Sequence, residues 1–234
     1  DVVNRAQDTF QRLIGKRAVG YVATSSDFQM DAPQIWHEQL GFSYSSSMRG
    51  DDRPYRTVFH GQESDFIEIP ARWELDDYPF FVYSYDPPQP KGQSRISSYR
   101  GVLSNWKHEF DGYYSEGGCM TFMLHPQIIG IPGRAYMLEE LLDYMLDKGD
   151  VWFATGKEIA EWWRANYRGG RHMKPDMIWP HGKQSAAMLC VMLDAEFIWL
   201  AMDEKKYDTP KHRSMGEYGP KRGVDRILSL LEEF

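Results

Sequence analysis

The sequence predicts an α/β protein with a mostly parallel sheet or a barrel. The 234-residue chain is long enough to form one domain with a sizeable core. Apolar residues make up 42% of the chain and charged residues 26%, as in folded globular proteins. Short apolar segments alternate with amphipathic segments along the chain, and strands that are joined by crossover helices pair in parallel.

The segments that we predict to be helices have apolar residues three or four positions apart, which places these residues on one face. They are residues 1–14, 32–40, 97–114, 134–148, 157–165 and 224–234. Gly15 and Gly41 follow the first two segments, and glycine is typical of helix C-termini. Asp31 and Thr155 precede the second and fifth segments, and we predict that each is an N-cap.

The segments that we predict to be strands are short and rich in apolar residues. They are residues 19–23, 66–72, 119–124, 151–154 and 186–193. The Pro-rich stretch 86–93 is predicted to be an exposed loop. Cys119 and Cys190 both lie within apolar runs, which favours buried free thiols over a disulfide or a metal pair.

The composition argues against several classes of function. Lys and Arg number 27 against 34 for Asp and Glu, which gives a net charge of −7. Such an acidic chain is poorly suited to duplex nucleic acid, because binding there depends on neutralising phosphates. The sequence shows no apolar run near the roughly 20 residues of a membrane span and no secretory signal. We therefore expect a cytoplasmic protein that binds neither nucleic acid nor membrane.

Polar residues follow three of the predicted strands at their carboxyl ends, where functional groups collect in parallel α/β folds. Asp194 and Glu196 follow one strand, His125 follows another, and Asp76 and Asp77 follow a third. A carboxylate can bind a metal or accept a proton from water, and an imidazole can protonate a leaving amine. The same residues are also common as loop caps, helix caps and structural histidines.

Five separate blocks carry a family resemblance that extends over nearly the whole chain. They read VGYVATSSDF at 19–28, LGFSYSSSM at 40–48, EIPARWELDDYP at 68–79, MLHP at 123–126 with the following stretch to Arg134, and LDAE at 193–196. These blocks resemble the polysaccharide deacetylases of the NodB-homology superfamily, in particular their peptidoglycan-deacetylase and allantoinase-like branch. The resemblance implies a distorted (β/α) barrel and metal-dependent hydrolysis of acetamido or related amide bonds.

The blocks stand in an unusual order. In that family the Asp-bearing strand comes first and the His-Pro strand comes near the end, whereas here Asp194 follows His125. The resemblance thus implies a single permuted and incomplete domain. Residues 1–167 form its later part, 168–176 a seam, and 177–234 its first strand and helix. A stretch of about fifty residues, which in the family carries the metal-binding His pair, has no counterpart here.

The resemblance assigns roles to several residues. Asp194 matches the family's metal ligand, and His125 matches its general acid. Met192 stands where the family usually has the catalytic base, and a thioether cannot accept a proton from water at neutral pH. Asp77 and Glu196 are therefore the nearest substitutes for that base. The predicted substrate-binding residues are Trp73, Asp76 and Tyr21. For Trp73, a cleft wall and a core aromatic remain alternatives.

The function implied by the resemblance is that of an amide hydrolase that deacetylates N-acetylated sugars. Alternatives are a hydrolase of cyclic amides or imides, an inactive family member that acts as a subunit, and a rearranged piece of an active enzyme. The implied cofactor is zinc or another divalent metal, bound weakly by this chain if the His pair is absent, because a single carboxylate rarely holds zinc. The implied partners are an amino sugar or another small-molecule substrate, a second copy of the chain in a homo-oligomer, and a complementing fragment.

Overall fold

The computed structural model describes residues 2–23, 28–82, 96–167 and 179–233, and it has the mixed helix and strand content of an α/β protein. The predicted exposed loop 86–93 and the predicted seam 168–176 lie outside the described residues. Among the described residues, no helix is both long enough and apolar enough to cross a membrane.

Helices and strands alternate through most of the chain. The helices are α1 (Val2–Ile14), α2 (Ala32–Glu38), α3 (Tyr78–Phe81), α4 (Tyr99–Ser115), α5 (Pro132–Leu146), α6 (Gly156–Asn166), α7 (Phe197–Tyr207), α8 (Pro210–Tyr218) and α9 (Val224–Leu231). The strands are β1 (Gly20–Tyr21), β2 (Tyr44–Ser45), β3 (Tyr55–Phe59), β4 (Gln62–Glu68), β5 (Cys119–Leu124), β6 (Val151–Phe153) and β7 (Ser185–Val191).

The strands form two sheets. The first has the order β1-β2-β4-β3, in which β1, β2 and β4 pair in parallel and β3 pairs antiparallel with β4. The second has the order β5-β7-β6, and β6 pairs in parallel with β7. The α/β class with parallel pairing is therefore as predicted, but the strand pairing of the described residues does not close into a barrel.

The chain divides into two compact units, of which the first comprises Asp1–Ala71, Tyr113–Thr121 and Val151–Met188. Apolar residues of β4, β5, α6 and β7 form its larger core cluster. Its fully buried members include Ile67, Ile69, Cys119, Ile159, Ala160 and Ala186. A smaller cluster gathers around Trp36, Phe42 and Phe66.

The second unit comprises Arg72–Gly112, Phe122–Asp150 and Leu189–Phe234. Trp106 of α4 is completely buried at its centre, with its ring 5.5 Å from that of Phe122 and 6.5 Å from that of Phe81. The indole N–H of Trp106 donates to the carbonyl oxygen of Glu74 at 2.8 Å. This bond satisfies the buried indole and ties α4 to the segment that leads into Asp76 and Asp77.

Helix α1 differs from the prediction in which face it buries. The sequence pattern places Phe10, Leu13 and Ile14 on one apolar face, but these side chains are 45%, 71% and 65% exposed. The buried residue of this helix is Gln7, whose side-chain amide donates to the Ala18 carbonyl and accepts from the Ala18 N–H. Hydrogen bonding to the following segment thus decides the orientation of α1, which apolar periodicity does not reveal.

Both cysteines are free, as the sequence predicts. Burial raises the pKa of the Cys119 thiol to about 12. Burial, together with the negative charge of Asp76, raises the pKa of the Cys190 thiol to about 11. Neither thiol is therefore a nucleophile at neutral pH, because nucleophilic attack requires the thiolate.

The N-terminus of α6 has a complete capping box, which confirms the predicted cap at Thr155. The Thr155 hydroxyl accepts the N–H of Glu158 at 3.3 Å, and the Glu158 carboxylate accepts the N–H of Thr155 at 2.8 Å. Replacing Thr155 by alanine should therefore lower the free energy of unfolding by about 1 kcal/mol in urea titrations. Thr155→Ser retains the hydroxyl acceptor and should stay close to wild type. Equal losses in the two variants would contradict this account.

Candidate active site

His125 lies directly after β5 and is almost completely buried, with 6% of its surface exposed. The N–H groups of Ile128 and Ile129 donate to the His125 carbonyl at 2.7 and 2.8 Å, which forms a tight turn at the strand end. The backbone N–H of His125 donates to Oδ2 of Asp77 at 2.8 Å. The turn and this bond together fix the position of the imidazole ring.

Asp77 is fully buried and contacts His125 through both of its carboxylate oxygens. While Oδ2 accepts the backbone N–H, Oδ1 lies 2.6 Å from the ring atom Nδ1. An ionised carboxylate only accepts hydrogen bonds, so Nδ1 carries the hydrogen of this bond. The other ring nitrogen, Nε2, is then the atom that can exchange a proton with a substrate. This is the arrangement of an acid–base histidine that a carboxylate orients.

Asp76 adds a second buried carboxylate beside the same ring. Its backbone forms a parallel bridge with Met123 of β5, which aligns the 76–77 segment with the end of that strand. Its Oδ1 accepts the N–H of Tyr78 at 2.8 Å and lies 3.7 Å from Nδ1 of His125. The Tyr78 ring lies with its centroid 5.7 Å from that of His125, so this segment covers one side of the imidazole.

Asp194 faces the other nitrogen of the ring. The N–H of Met192 donates to the Leu124 carbonyl at 2.8 Å, which places the ends of β5 and β7 side by side. As a result, Oδ2 of Asp194 lies 3.5 Å from Nε2 of His125. The Asp194 side chain is 32% exposed, so solvent can reach it. At this distance a direct hydrogen bond is weak, but one water molecule can contact both groups.

Three carboxylates around one imidazole favour a bound proton. Burial by itself lowers the pKa of His125, but the hydrogen bond to Asp77 and the charges of all three carboxylates raise it above the ordinary value. Burial raises the pKa of Asp77 and of Asp194, and the neighbouring His125 opposes the rise in both. The site therefore retains a proton to higher pH than separate groups would, which suits His125 to protonating a leaving group.

Asp76 should make folding stability depend on pH, because burial raises its pKa from 3.8 to about 6. Between these values the folded state holds a proton that the unfolded state has lost, so stability falls as the pH rises through this window. The shift corresponds to a loss of about 3 kcal/mol at neutral pH.

Asp76→Asn removes this ionisation and retains Oδ1 as the acceptor for Tyr78. Urea titrations should therefore show the variant to be more stable than wild type by up to about 3 kcal/mol near pH 7, and equally stable near pH 4. A difference between the two proteins that does not change with pH would contradict the assignment.

Two further residues from the sequence analysis lie in the same unit. Trp73 begins the short 3-10 turn Trp73–Leu75 that leads into Asp76, and it is 50% exposed. Glu196 precedes α7, and its backbone lies so close to Gly216 that a side chain at Gly216 would clash with it. Among the described residues, the contacts of the His125 cluster include three carboxylates, those of Asp76, Asp77 and Asp194, and not that of Glu196.

Tyr21, which the sequence predicts to bind substrate, belongs to the first unit. Its ring lies 4.6 Å from that of Trp36 and 5.4 Å from that of Phe42. Tyr21 thus packs on the smaller apolar cluster of that unit. Its role in substrate binding stays a prediction.

One group of side chains in the described part of the chain could bind a metal ion together. It consists of Asp76, Asp77 and His125, whose ligand atoms lie within 4.8 Å of one another. Imidazole nitrogens and carboxylate oxygens are zinc ligands, but in this structure the donors of His125 and Asp77 are bonded to each other. The closest pair, Nδ1 of His125 and Oδ1 of Asp77, lies at hydrogen-bond distance, and Oδ2 of Asp77 is occupied by a backbone N–H. A catalytic zinc site has three protein ligands and an open position, and Asp194 alone does not provide that set.

Comparison with known proteins supports the family that the sequence suggested. No family model matches the chain. A peptidoglycan deacetylase from Helicobacter pylori is 28% identical over 188 residues, which are 69% of this chain. The structure of a protein from Mycobacterium smegmatis assigned as a polysaccharide deacetylase matches 74% of the chain with a TM-score of 0.65 and 26% identity. The predicted resemblance to polysaccharide deacetylases is confirmed.

The resemblance to allantoinases also has a counterpart among solved structures. The crystal structure of the Puue allantoinase matches 70% of this chain with a TM-score of 0.58 and 25% identity. The chain spans 62% of the length of the Helicobacter pylori deacetylase, 58% of the Mycobacterium smegmatis protein and 52% of the allantoinase. The similarity therefore concerns a large part of each relative and not its whole length.

Proposed function

We propose that this chain carries the acid–base residues of a hydrolase that cleaves carbon–nitrogen bonds other than peptide bonds, in the manner of a deacetylase. One observation carries the proposal: a carboxylate lies at each nitrogen of the His125 ring, with Asp77 at Nδ1 and Asp194 at Nε2. The similarity to a peptidoglycan deacetylase supports the choice of an acetamido group as the bond that is cleaved.

In the proposed reaction, a water molecule beside Asp194 attacks the amide carbonyl carbon. Asp194 accepts a proton from this water, and Nε2 of His125 donates a proton to the amide nitrogen as the carbon–nitrogen bond breaks. The products are a carboxylic acid and a free amine. Transfer of the proton from Asp194 to Nε2 of His125 restores both groups, so that the added water accounts for all new atoms. Nδ1 of His125 keeps its hydrogen throughout and donates it to Asp77, whose carboxylate stabilises the imidazolium before the Nε2 proton is donated.

This proposal makes Asp194, rather than Asp77 or Glu196, the base that replaces the family residue at the position of Met192. Both oxygens of Asp77 are occupied by hydrogen bonds to His125, and this side chain has no exposed surface. Asp194 combines solvent access with a position 3.5 Å from Nε2. A base has to reach the attacking water, and Asp194 is the carboxylate of the cluster whose exposure allows it.

Zinc dependence is the part of the proposal that the described residues do not complete. A divalent cation, when bound at such a site, lowers the pKa of water and polarises the carbonyl group. Here Asp194 is the carboxylate that could contribute to holding it, and further ligands would have to come from outside the described residues.

We therefore expect calorimetric titration of the isolated chain with Zn²⁺ to show only weak binding, far below the roughly 10–16 kcal/mol of a complete structural zinc site. The same titration of Asp194→Asn is the control for non-specific binding. Saturable one-to-one binding with high affinity, lost in that variant, would contradict this expectation.

We infer further that residues 1–167 and 177–234 are parts of one (β/α) barrel of the deacetylase type, in permuted order. The contact between Met192 and Leu124 supports this inference, because it joins strand ends from both parts. The proposed function also requires that the two parts belong to one domain, since Asp194 comes from one part and His125 from the other. The structural similarity to deacetylases provides independent support.

The substrate that we propose is an amino sugar with an acetylated nitrogen, and an assay of acetate release tests this directly. The chain is incubated with oligomers of N-acetylglucosamine, with and without added zinc, while acetate and new free amine are both measured. Acetate and amine that appear in equal amounts would support deacetylation. Their absence under all conditions would overturn the proposed substrate.

A second candidate, hydrolysis of cyclic amides or imides, is favoured by the structural similarity to the Puue allantoinase. The same acid–base residues could open a ring, since only the position of the amide in the substrate differs. Parallel assays with hydantoin- and succinimide-like rings separate the two candidates. Inactivity toward both substrate classes would favour the third possibility, an inactive family member. The absence of a base at the position of Met192 would explain such inactivity.

A further inference from the structure

The structure assigns to Arg134 a positioning role in the proposed hydrolysis. Its guanidinium holds the turn that follows His125 and packs on the helix that follows Asp77. This inference rests on the proposed function, because it concerns how the acid–base pair of that function is kept in place. In the sequence, Arg134 lies at the end of a block that resembles the deacetylases, and the resemblance assigns it no role.

Arg134 lies in the first turn of α5 and is 4% exposed. Its Nη1 donates to the carbonyl oxygen of Ile128 at 3.0 Å. The N–H of Ile128 in turn donates to the carbonyl oxygen of His125 at 2.7 Å. Two hydrogen bonds therefore connect the buried guanidinium to the backbone of His125.

A second set of contacts connects Arg134 to the helix that follows Asp77. The guanidinium carbon lies 4.9 Å from the ring centroid of Phe81 and 5.8 Å from that of Tyr99, which are cation–π distances. Phe81 ends α3, and its N–H donates to the carbonyl oxygen of Asp77 at 3.0 Å. Arg134 thus contacts the segment that follows His125 and the segment that follows Asp77, the carboxylate that orients His125.

The charge of Arg134 acts on the same pair. Asp77 is completely buried, which by itself raises its pKa, and the positive charge of Arg134 opposes this rise. The Nε of Arg134 is buried and has no hydrogen-bond partner among the described residues. A buried cation is costly unless it is compensated, and the carbonyl of Ile128 and the faces of the Phe81 and Tyr99 rings are the groups that contact this one.

Lysine cannot reproduce this arrangement. The planar guanidinium can stack on the rings of Phe81 and Tyr99 while an N–H in its plane donates to Ile128, whereas an ammonium group is a compact point charge. Arg134→Lys should therefore keep the charge and lose the geometry. Arg134→Met should lose both while it fills most of the volume.

The test compares these two variants with wild type and with Arg100→Met, which removes an exposed arginine of α4. We expect kcat for acetate release to fall by about 10-fold to 100-fold in Arg134→Met and by less in Arg134→Lys, with KM within twofold of wild type. Added guanidinium ions at millimolar concentration should restore part of kcat in Arg134→Ala, whose small side chain leaves room for them, and not in Arg134→Met. A kcat within twofold of wild type in folded Arg134→Met would overturn the inference.

A second measurement separates failure of this inference from failure of the proposed function. Nitrogen NMR of the imidazole side chains needs no substrate, and the His125 signals are identified by their absence in a His125→Gln sample. We expect Arg134→Met to shift both His125 nitrogen signals, and Arg100→Met to leave them unchanged. Unchanged His125 signals in a folded Arg134→Met protein would overturn the positioning role, whether or not the wild-type chain is active.

Discussion

Replacing His125 by glutamine is expected to lower kcat for amide hydrolysis by about 10³-fold, because general acid–base catalysis by one positioned group contributes about 10²- to 10⁴-fold. Glutamine can still donate a hydrogen bond, but it cannot transfer a proton to the leaving nitrogen. KM should change little, since Nε2 acts mainly in the transition state. Steady-state kinetics of acetate release measures both constants.

The matched control is His108→Gln, which makes the same substitution at an exposed position of α4. This variant should keep wild-type activity and stability. A His125→Gln protein that is folded and retains more than about a tenth of the wild-type kcat would show that His125 is not the general acid.

Replacing Asp194 by asparagine is expected to lower kcat/KM by about 10²-fold or more, because asparagine cannot accept a proton from water. The pH profile should change as well. The charge of Asp194 contributes to the raised pKa of His125, so its removal lowers that pKa. Activity that requires protonated His125 should then decline at a lower pH than in wild type.

Asp225→Asn is the control for Asp194→Asn, since Asp225 is exposed in the first turn of α9 within the same unit. Its activity and pH profile should match those of wild type. A lower kcat/KM in Asp194→Asn with an unshifted pH profile would indicate that Asp194 and His125 act independently, contrary to the geometry.

The segments that the sequence predicted best are those in which local chemistry determines the structure. Strand β5 has the predicted bounds, because an apolar run is followed by His125-Pro126 and proline cannot continue the ladder. The cap at Thr155 likewise depends on neighbouring residues only. Asp31 precedes α2 as predicted, but its side chain makes no capping hydrogen bond.

Contacts between residues that are distant in the chain could not be predicted from sequence patterns. The hydrogen bond between Asp77 and His125 joins positions 48 residues apart, so spacing could mark each residue as a strand-end group but could not pair them. Arg134 was missed because a single arginine near a helix start gives no periodic signal. Helices α7 and α8 were not predicted either, because their apolar residues do not follow a helical repeat clearly.

Several expectations from the sequence stay predictions. They include the binding of substrate by Trp73, Asp76 and Tyr21, the homo-oligomer and the complementing fragment. Intact-mass and native-mass measurements address the last two, since they would show how many copies or pieces the folded particle contains. The described structure bears most directly on His125 and the carboxylates of Asp76, Asp77 and Asp194, because these four side chains all lie within one unit.

A double-mutant cycle between His125 and Asp194 tests most directly whether these two side chains form one hydrolytic site. The values of kcat/KM are measured for wild type, His125→Gln, Asp194→Asn and the double variant. If the two side chains act on the same substrate across 3.5 Å, the second substitution should cost much less in the double variant than alone, with a coupling of about 0.5–3 kcal/mol. Losses that add to within about 0.3–0.5 kcal/mol would show that the two residues serve separate purposes, and would contradict the proposed hydrolytic site.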